Sequence, residues 1–405
     1  NTAYLLERLS QTLERLETLM AIFVSNRYLP RRILLLTGCF ARAAAERHSI
    51  SRLWKQSSGL IARSVTQNAG DHGEHYITRD KKEYWAMFYS AAGGGVLIAL
   101  MALFKTYLGS IIDDKVWKGL AEGLNYGFGF MVIFMLHFTV ATKQPAMTAA
   151  RFAEAVEKNP QGKTLNMKLA QLLVDVFRSQ SVAVLGNVVV AMGLAALIAF
   201  VYQHQTGEPL MNSEKIAYQL HRIDPLDGSL WFAAIAGVWL FCSGIISGYF
   251  DNRSNYLNMR MRLAQHPLLK KLMSEKSRVK FANYMHENYG SLIGNFCFGM
   301  LLGLTGLVGY LTHLPLDIRH VAFSSANLGY SAVSGQFAYP FFLQCIAFVL
   351  LIGLVNLIVS FSLTLWVALR SLNTEIDSWW AIWHEVCQIV KKRPLSLFFP
   401  VQLDK

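Results

Sequence analysis

The chain has 405 residues, 53 % of them hydrophobic and 16 % charged, with a mean hydropathy of +0.31. Soluble domains carry about 25 % charged residues, so the composition excludes an ordinary soluble globular enzyme. Lys and Arg outnumber Asp and Glu by 38 to 26, a net +12, which keeps nucleic acid in view until the positions of the charges are known.

Residues 1–83 form the largest stretch outside the apolar runs. Leu6, Leu9, Leu13, Leu16, Met20 and Phe23 repeat at spacings of three and four, which places one apolar stripe on a helix. Pro30 ends that helix, and further helical stretches are expected over Arg31–Arg47 and Ser49–Gln67. The segment is read as a helical cytoplasmic region; its sharper reading is a coiled coil that recruits a cytoplasmic protein partner through residues 1–66. Because the chain opens on Asn1 rather than Met, it reads as a processed or partial chain with further residues upstream. At its end, Asp71-His72-Gly73-Glu74-His75-Tyr76 offers His72, Glu74 and His75 as metal ligands. A turn whose side chains cap the next helix is the plainer reading. No cofactor is expected.

Six charge-poor runs follow: Tyr84–Phe104, Leu124–Thr142, Ser179–Tyr202, Gly228–Phe250, Gly290–Leu311 and Tyr339–Leu369. About 20 apolar helical residues span a hydrocarbon core roughly 30 Å thick. An all-α, six-span transmembrane bundle over 84–369 is therefore expected, with a cytoplasmic C-terminal segment over 370–405. Lys and Arg alternate along the segments between the spans as 13, 3, 6, 2, 8, 1 and 5, or 32 against 6. The Lys/Arg excess marks the cytoplasmic side, so both termini are expected inside. The same alternation accounts for the basic balance without nucleic acid.

Between the second and third spans, 143–178 reads as two amphipathic helices split at Asn159-Pro160-Gln161-Gly162, a strong turn cluster. Residues 251–289 are read as a helical cytoplasmic loop with Pro267 near a helix start, and 313–338 as a cap on the outer face. Gly186-Asn187 opens the third span and Gly294-Asn295 the fifth, a hint of three tandem helical hairpins.

No acidic or basic side chain sits centrally in these runs. The candidate polar intramembrane site is neutral: His137, Asn187, Asn295, Gln344 and Asn356. Interhelical hydrogen bonds are the plainer use of such residues. Gly244-xxx-Gly248, Ser243-xxx-Ser247 and Gly299-xxx-Gly303 are steps that let helices approach closely. There is no GxSxG elbow, P-loop or paired CxxC pattern. Tyr256 lies among Arg253, Arg260 and Arg262, but a basic helix after a span is more simply a contact to anionic lipid.

Three blocks resemble a family of bacterial polytopic membrane proteins labelled "site-specific recombinase". They are His137–Ala149 with Lys143-Gln144-Pro145, Gly73–Thr78 with His75-Tyr76, and Ser247–Asn252 with Asp251-Asn252. The resemblance implies DNA rearrangement but carries over no catalytic residue. The residues themselves point to a non-enzymatic membrane protein that transports or handles an anionic lipid or small-molecule ligand. A membrane-anchored scaffold and a DNA recombinase are the alternatives.

Overall fold

A computed structural model describes residues 78, 80–140, 148–149, 152, 155–156, 163–371, 376 and 378–400, together with positions 9, 10, 12, 13, 16, 17, 20, 34, 37 and 38. The chain divides into two compact units, 1–59 and 60–405. In the first, Leu9, Leu13, Leu16 and Met20 are helical and exposed. The rest of the expected N-terminal helices and the turn cluster at 159–162 lie outside the described residues.

The second unit is all-helical among its described residues. Its elements are α1 (Lys81–Ile111), α2 (Lys115–Met135), α3 (Lys163–Thr206), α4 (Ser213–Ile223), α5 (Ser229–Tyr256), α6 (Met259–Gln265), α7 (Pro267–Leu272), α8 (Glu275–Thr312), α9 (Val321–Ser334), α10 (Tyr339–Ser371) and α11 (Trp379–Lys392). Local chemistry sets several of their starts. Asp80 caps α1 by accepting from the Glu83 N–H, and Asp114 caps α2 by accepting from Val116 and Trp117. Pro267 occupies the first turn of α7, where its missing N–H costs nothing.

Five helices, α1, α3, α5, α8 and α10, are long and apolar enough to cross a bilayer. Their outer faces expose apolar side chains turn after turn: Val96, Leu100 and Phe104 on α1, Leu185, Val189 and Phe200 on α3, Leu350, Leu354 and Ile358 on α10. Contiguous apolar surface of that extent is foreign to a soluble monomer; this is a multi-pass membrane protein. α2, in the place of the expected second span, is not one of these five. It starts nine residues before the expected second span and ends seven before it, because Lys115, Lys118 and Glu122 are part of the helix.

The helices pair out of chain order. Consecutive α1 and α2 touch, but the extensive contacts are α2 with α8, α1 with α3, α8 with α5, and α5 with α10. Close approach explains the pairing: a Cβ at Gly299 of α8 would stand 2.2 Å from the Tyr126 carbonyl of α2, and one at Gly303 would stand 2.4 Å from Gly123 Cα. Only a residue without a side chain lets two backbones meet so closely. On the other flank of α8, Gly294 meets Ser243 and Ser247 of α5.

The ring of helices is filled by α9, which is not an external cap. Ten of its fourteen residues are buried. Tyr330 donates its hydroxyl to the Ala99 carbonyl halfway along α1 (3.0 Å); a Cβ at Gly329 would stand 2.3 Å from the Met192 carbonyl of α3. Residues 313–338 thus leave the end of α8, dip into the bundle and return to the start of α10.

An interrupted backbone inside a bundle needs partners for its N–H and C=O groups, because lipid supplies none. Asn356, fully buried in the middle of α10, provides three. Its Oδ1 accepts from the Val321 N–H (3.1 Å), and its Nδ2 donates to the carbonyls of Arg319 (2.9 Å) and Ala233 (2.8 Å). Asn295 is also buried, but its amide donates only to Ser291 O of its own helix (2.7 Å). Asn356→Leu leaves three buried backbone groups without that partner, at a cost of about 1–3 kcal/mol for each that finds no other. It is expected to lower the melting temperature by several degrees in detergent, whereas Asn295→Leu shifts it little; equal shifts would refute the assignment.

Candidate functional site

At the end of the bundle bearing the connections 112–114, 207–228 and 313–320, the helices part around a cavity of about 540 Å³. The last turns of α1 and α8, the first half of α2, α4, and the residues entering α9 form its wall. Six cations line it: Lys105, Lys115, Lys118, Lys215, Arg222 and Arg319. Two carboxylates, Glu122 and Asp317, face them. These six are the same six Lys and Arg that the alternating pattern leaves in the charge-poor connections. Spread over more than two hundred positions of chain, they converge on one space.

The deeper cations are tied to the protein. Lys105 pairs with Glu122 (2.9 Å) and lies 5.4 Å from the Tyr126 ring centroid. Asp317 sits between two arginines, 2.6 Å from Arg319 Nη1 and 3.3 Å from Arg222 Nη2. Arg319 also donates through Nε to the Arg222 carbonyl (2.6 Å), and Arg222 through Nη1 to the Tyr218 hydroxyl (2.7 Å). Burial disfavours the charged form of Asp317, but Arg222 and Arg319 outweigh it and hold the carboxyl below its ordinary pKa. Burial likewise opposes the charge of Arg222, and the neighbouring Asp317 more than restores it.

At the base, His320 is buried among Phe130, Phe298 and Phe323, with ring centroids 5.8–6.1 Å away. Burial pushes its imidazole down to about 3, so it is neutral at physiological pH. Phe323 stacks on Tyr126 at 4.2 Å. The cavity is therefore apolar and aromatic below, ion-paired in its middle, and cationic at the rim.

The neutral residues expected from the sequence are not gathered into this site, and none lines the cavity. Asn187 is buried and donates to the carbonyls of Ala91 and Thr139, joining three segments. Asn295 and Asn356 serve helix and loop as described above. His137 is exposed, at φ 58° just past α2, with its carbonyl accepting from Ser90. Gln344 is exposed on α10. Of the family-like positions, Asp251 accepts from the Gly290 N–H (2.8 Å) and so binds α5 to α8, while Asn252 is exposed. His75, Tyr76, Lys143, Gln144 and Pro145 lie outside the described residues, as do the metal candidates His72, Glu74 and His75. Tyr256 is exposed at the end of α5.

A multi-pass helical membrane protein with a charged cavity at one end of the bundle is the class that these features define. The chain belongs to the site-specific recombinase family, whose model matches residues 1–400. No curated protein and no solved structure is significantly similar to it.

The lowered pKa of His320 predicts a fold that loses stability in acid. His320 has a lowered pKa in the folded state, about 3 against about 6.5 when unfolded. Between those values the unfolded chain takes up a proton that the folded chain refuses, so stability falls as pH drops below 6.5. At pH 4.5 the loss is about 2–3 kcal/mol. The contribution of Asp317, also lowered, is full above about pH 4 and is lost only as pH falls through its folded value. Melting measured from pH 7 to 4.5 is expected to decline in the wild type and to flatten in His320→Phe; parallel curves would contradict this.

Proposed function

We propose that the protein is a non-enzymatic membrane protein that handles a small anionic ligand or a lipid headgroup at this cavity. The observation that carries the reading is the convergence of all six Lys and Arg of the charge-poor connections on one cavity wall, against two carboxylates. Positive side chains on that side of a membrane protein are disfavoured by the topological rule. Burying Arg319 and partly burying Lys105, Lys118 and Arg222 costs desolvation as well. A binding site for negative charge accounts for both. The Lys/Arg alternation further supports an inner-membrane position with both termini cytoplasmic and the cavity open to the opposite side.

The family's description points to DNA rearrangement, which predicts a different ligand. Native mass spectrometry of the full chain, released from its own membranes into detergent, separates the two. A retained small-molecule or lipid adduct, lost from Lys118→Gln/Lys215→Gln, is the expected result. Co-purifying nucleic acid that stays bound at about 0.5 M salt, where phosphate contacts weaken, would overturn the reading in favour of the family's name.

A further inference from the structure

The cations of the cavity fall into two groups. Lys105, Arg222 and Arg319 are spoken for by Glu122, Asp317, Tyr218 and backbone carbonyls. Among the described residues, Lys115, Lys118 and Lys215 have no carboxylate within ion-pair distance; Lys115 instead sits 4.3 Å from the Tyr310 ring centroid. Acidic neighbours in sequence, Asp113, Asp114 and Glu214, do not line the cavity. Asp114 is engaged in capping α2.

The three lysines also occupy an unfavourable place on their helices. Lys115 and Lys118 lie in the first turn of α2, and Lys215 is the third residue of α4. Positive side chains at a helix N-terminus meet the positive end of the macrodipole, and each is destabilising there unless negative charge is nearby. Two helices from distant parts of the chain therefore aim positive ends and unpaired ammonium groups at the same space. Asp114 caps α2 and Glu214 lies in the first turn of α4, so the two helix ends carry negative charge of their own; neither side chain lines the cavity, however, and the lysine ammonium groups there suit an anion of more than one charge.

The type of cation narrows the type of anion. Planar, bidentate recognition of a carboxylate is the work of a free guanidinium fork. Here both forks are turned inward: Arg319 spends Nε and Nη1 on Arg222 O, Asp317 and Ile318 O, and Arg222 spends both Nη groups on Tyr218, Asp317 and Ile318 O. What remains at the rim are lysines, compact point charges with rotatable donors, which suit a phosphate's several oxygens and charge near −2.

We propose that Lys115, Lys118 and Lys215 grip a phosphate or pyrophosphate group, the ligand being a phosphorylated molecule or a phosphate-headed lipid. This rests on the cavity reading given under Proposed function and specifies its ligand class. The volume of about 540 Å³ accommodates such a headgroup rather than a whole lipid, so both sources deliver the same chemistry to the rim.

The test uses the full chain in nanodiscs of phosphatidylcholine. Inorganic pyrophosphate and citrate are titrated calorimetrically at low and high salt, and nanodiscs doped with phosphatidic acid are analysed by native mass spectrometry. Pyrophosphate, phosphatidic acid or both are expected to bind, with citrate at least tenfold weaker than pyrophosphate where pyrophosphate binds. The triple variant Lys115→Gln/Lys118→Gln/Lys215→Gln is expected to weaken binding at least tenfold. Lys270→Gln/Lys271→Gln, equal in kind but away from the cavity, is expected to leave it unchanged. Binding of pyrophosphate alone assigns a soluble ligand, and retention of phosphatidic acid alone a lipid; each supports the proposal. Should the triple variant not fold, Lys118→Glu alone serves, with the same expected loss. Citrate bound as tightly as pyrophosphate overturns the phosphate assignment while leaving the anion cavity standing. Wild-type affinity in the lysine variants overturns the grip, and no binding of any of the three probes removes both.

Discussion

Everything at the functional end of this molecule depends on one requirement: the polypeptide breaks its helical run between α8 and α9 inside the bundle, and its backbone must be satisfied there. Water does so for an ordinary loop. At the depth of Asn356, in the middle of α10 and level with the second turn of α5 at Ala233, it cannot be relied on. A single amide side chain therefore takes over, bonding the last carbonyl of the loop at Arg319, the first N–H of α9 at Val321, and the neighbouring helix at Ala233. An average interhelical hydrogen bond in a membrane contributes only about 0.6 kcal/mol, because the separated helix finds other partners. The groups held by Asn356 are less free to do so, since two of the three belong to a fixed break in the chain. With that break pinned, Arg319 and Asp317 are delivered to the cavity, and α9 is positioned to carry Phe323 and Tyr330 against α2 and α1.

The same break sets the electrostatics. Asp317 reaches two guanidinium groups because the loop brings it between α4 and the base of α9. It neutralises one of the two positive charges beside it, and Glu122 neutralises Lys105 on the other wall. Each deep cation thus has a carboxylate partner, whole or shared, while the lysines at the open end have none among the described residues. Desolvation accounts for that gradient: an unpaired cation is tolerable at a wet rim and prohibitive in the interior.

Much of this was legible in the sequence, and what was not has a physical reason. Charge-free runs of about 20 residues located α1, α3, α5, α8 and α10 because a lipid-facing helix admits few charges along its length. The expected second span was displaced because α2 turns Lys115, Lys118 and Glu122 into the cavity, and a search for charge-free runs discards those turns. α9 was read as part of an outer cap, being too short to span. Its Ala, Ser and Gly content is the signature of a helix buried on every side, packed against backbones. The cavity itself was invisible: its cations stand alone in the sequence, from Lys105 to Arg319, and each read as an ordinary loop charge. The neutral residues singled out instead turned out to serve the architecture, Asn187 and Asn356 most plainly.

The topological charge rule, read again with the cavity in view, carries more than orientation. Along the sequence, thirty-two Lys and Arg fall in the alternate segments rich in them and only six in the others. In a chain that merely tolerated stray positive residues in those connections, the six would share no common space. Here all six line one cavity, and three of them stand at helix ends that repel positive charge. The topological rule works against the cluster as a whole, and desolvation against its buried member Arg319. The proposed site for a negatively charged ligand accounts for the gathering of the six in one cavity.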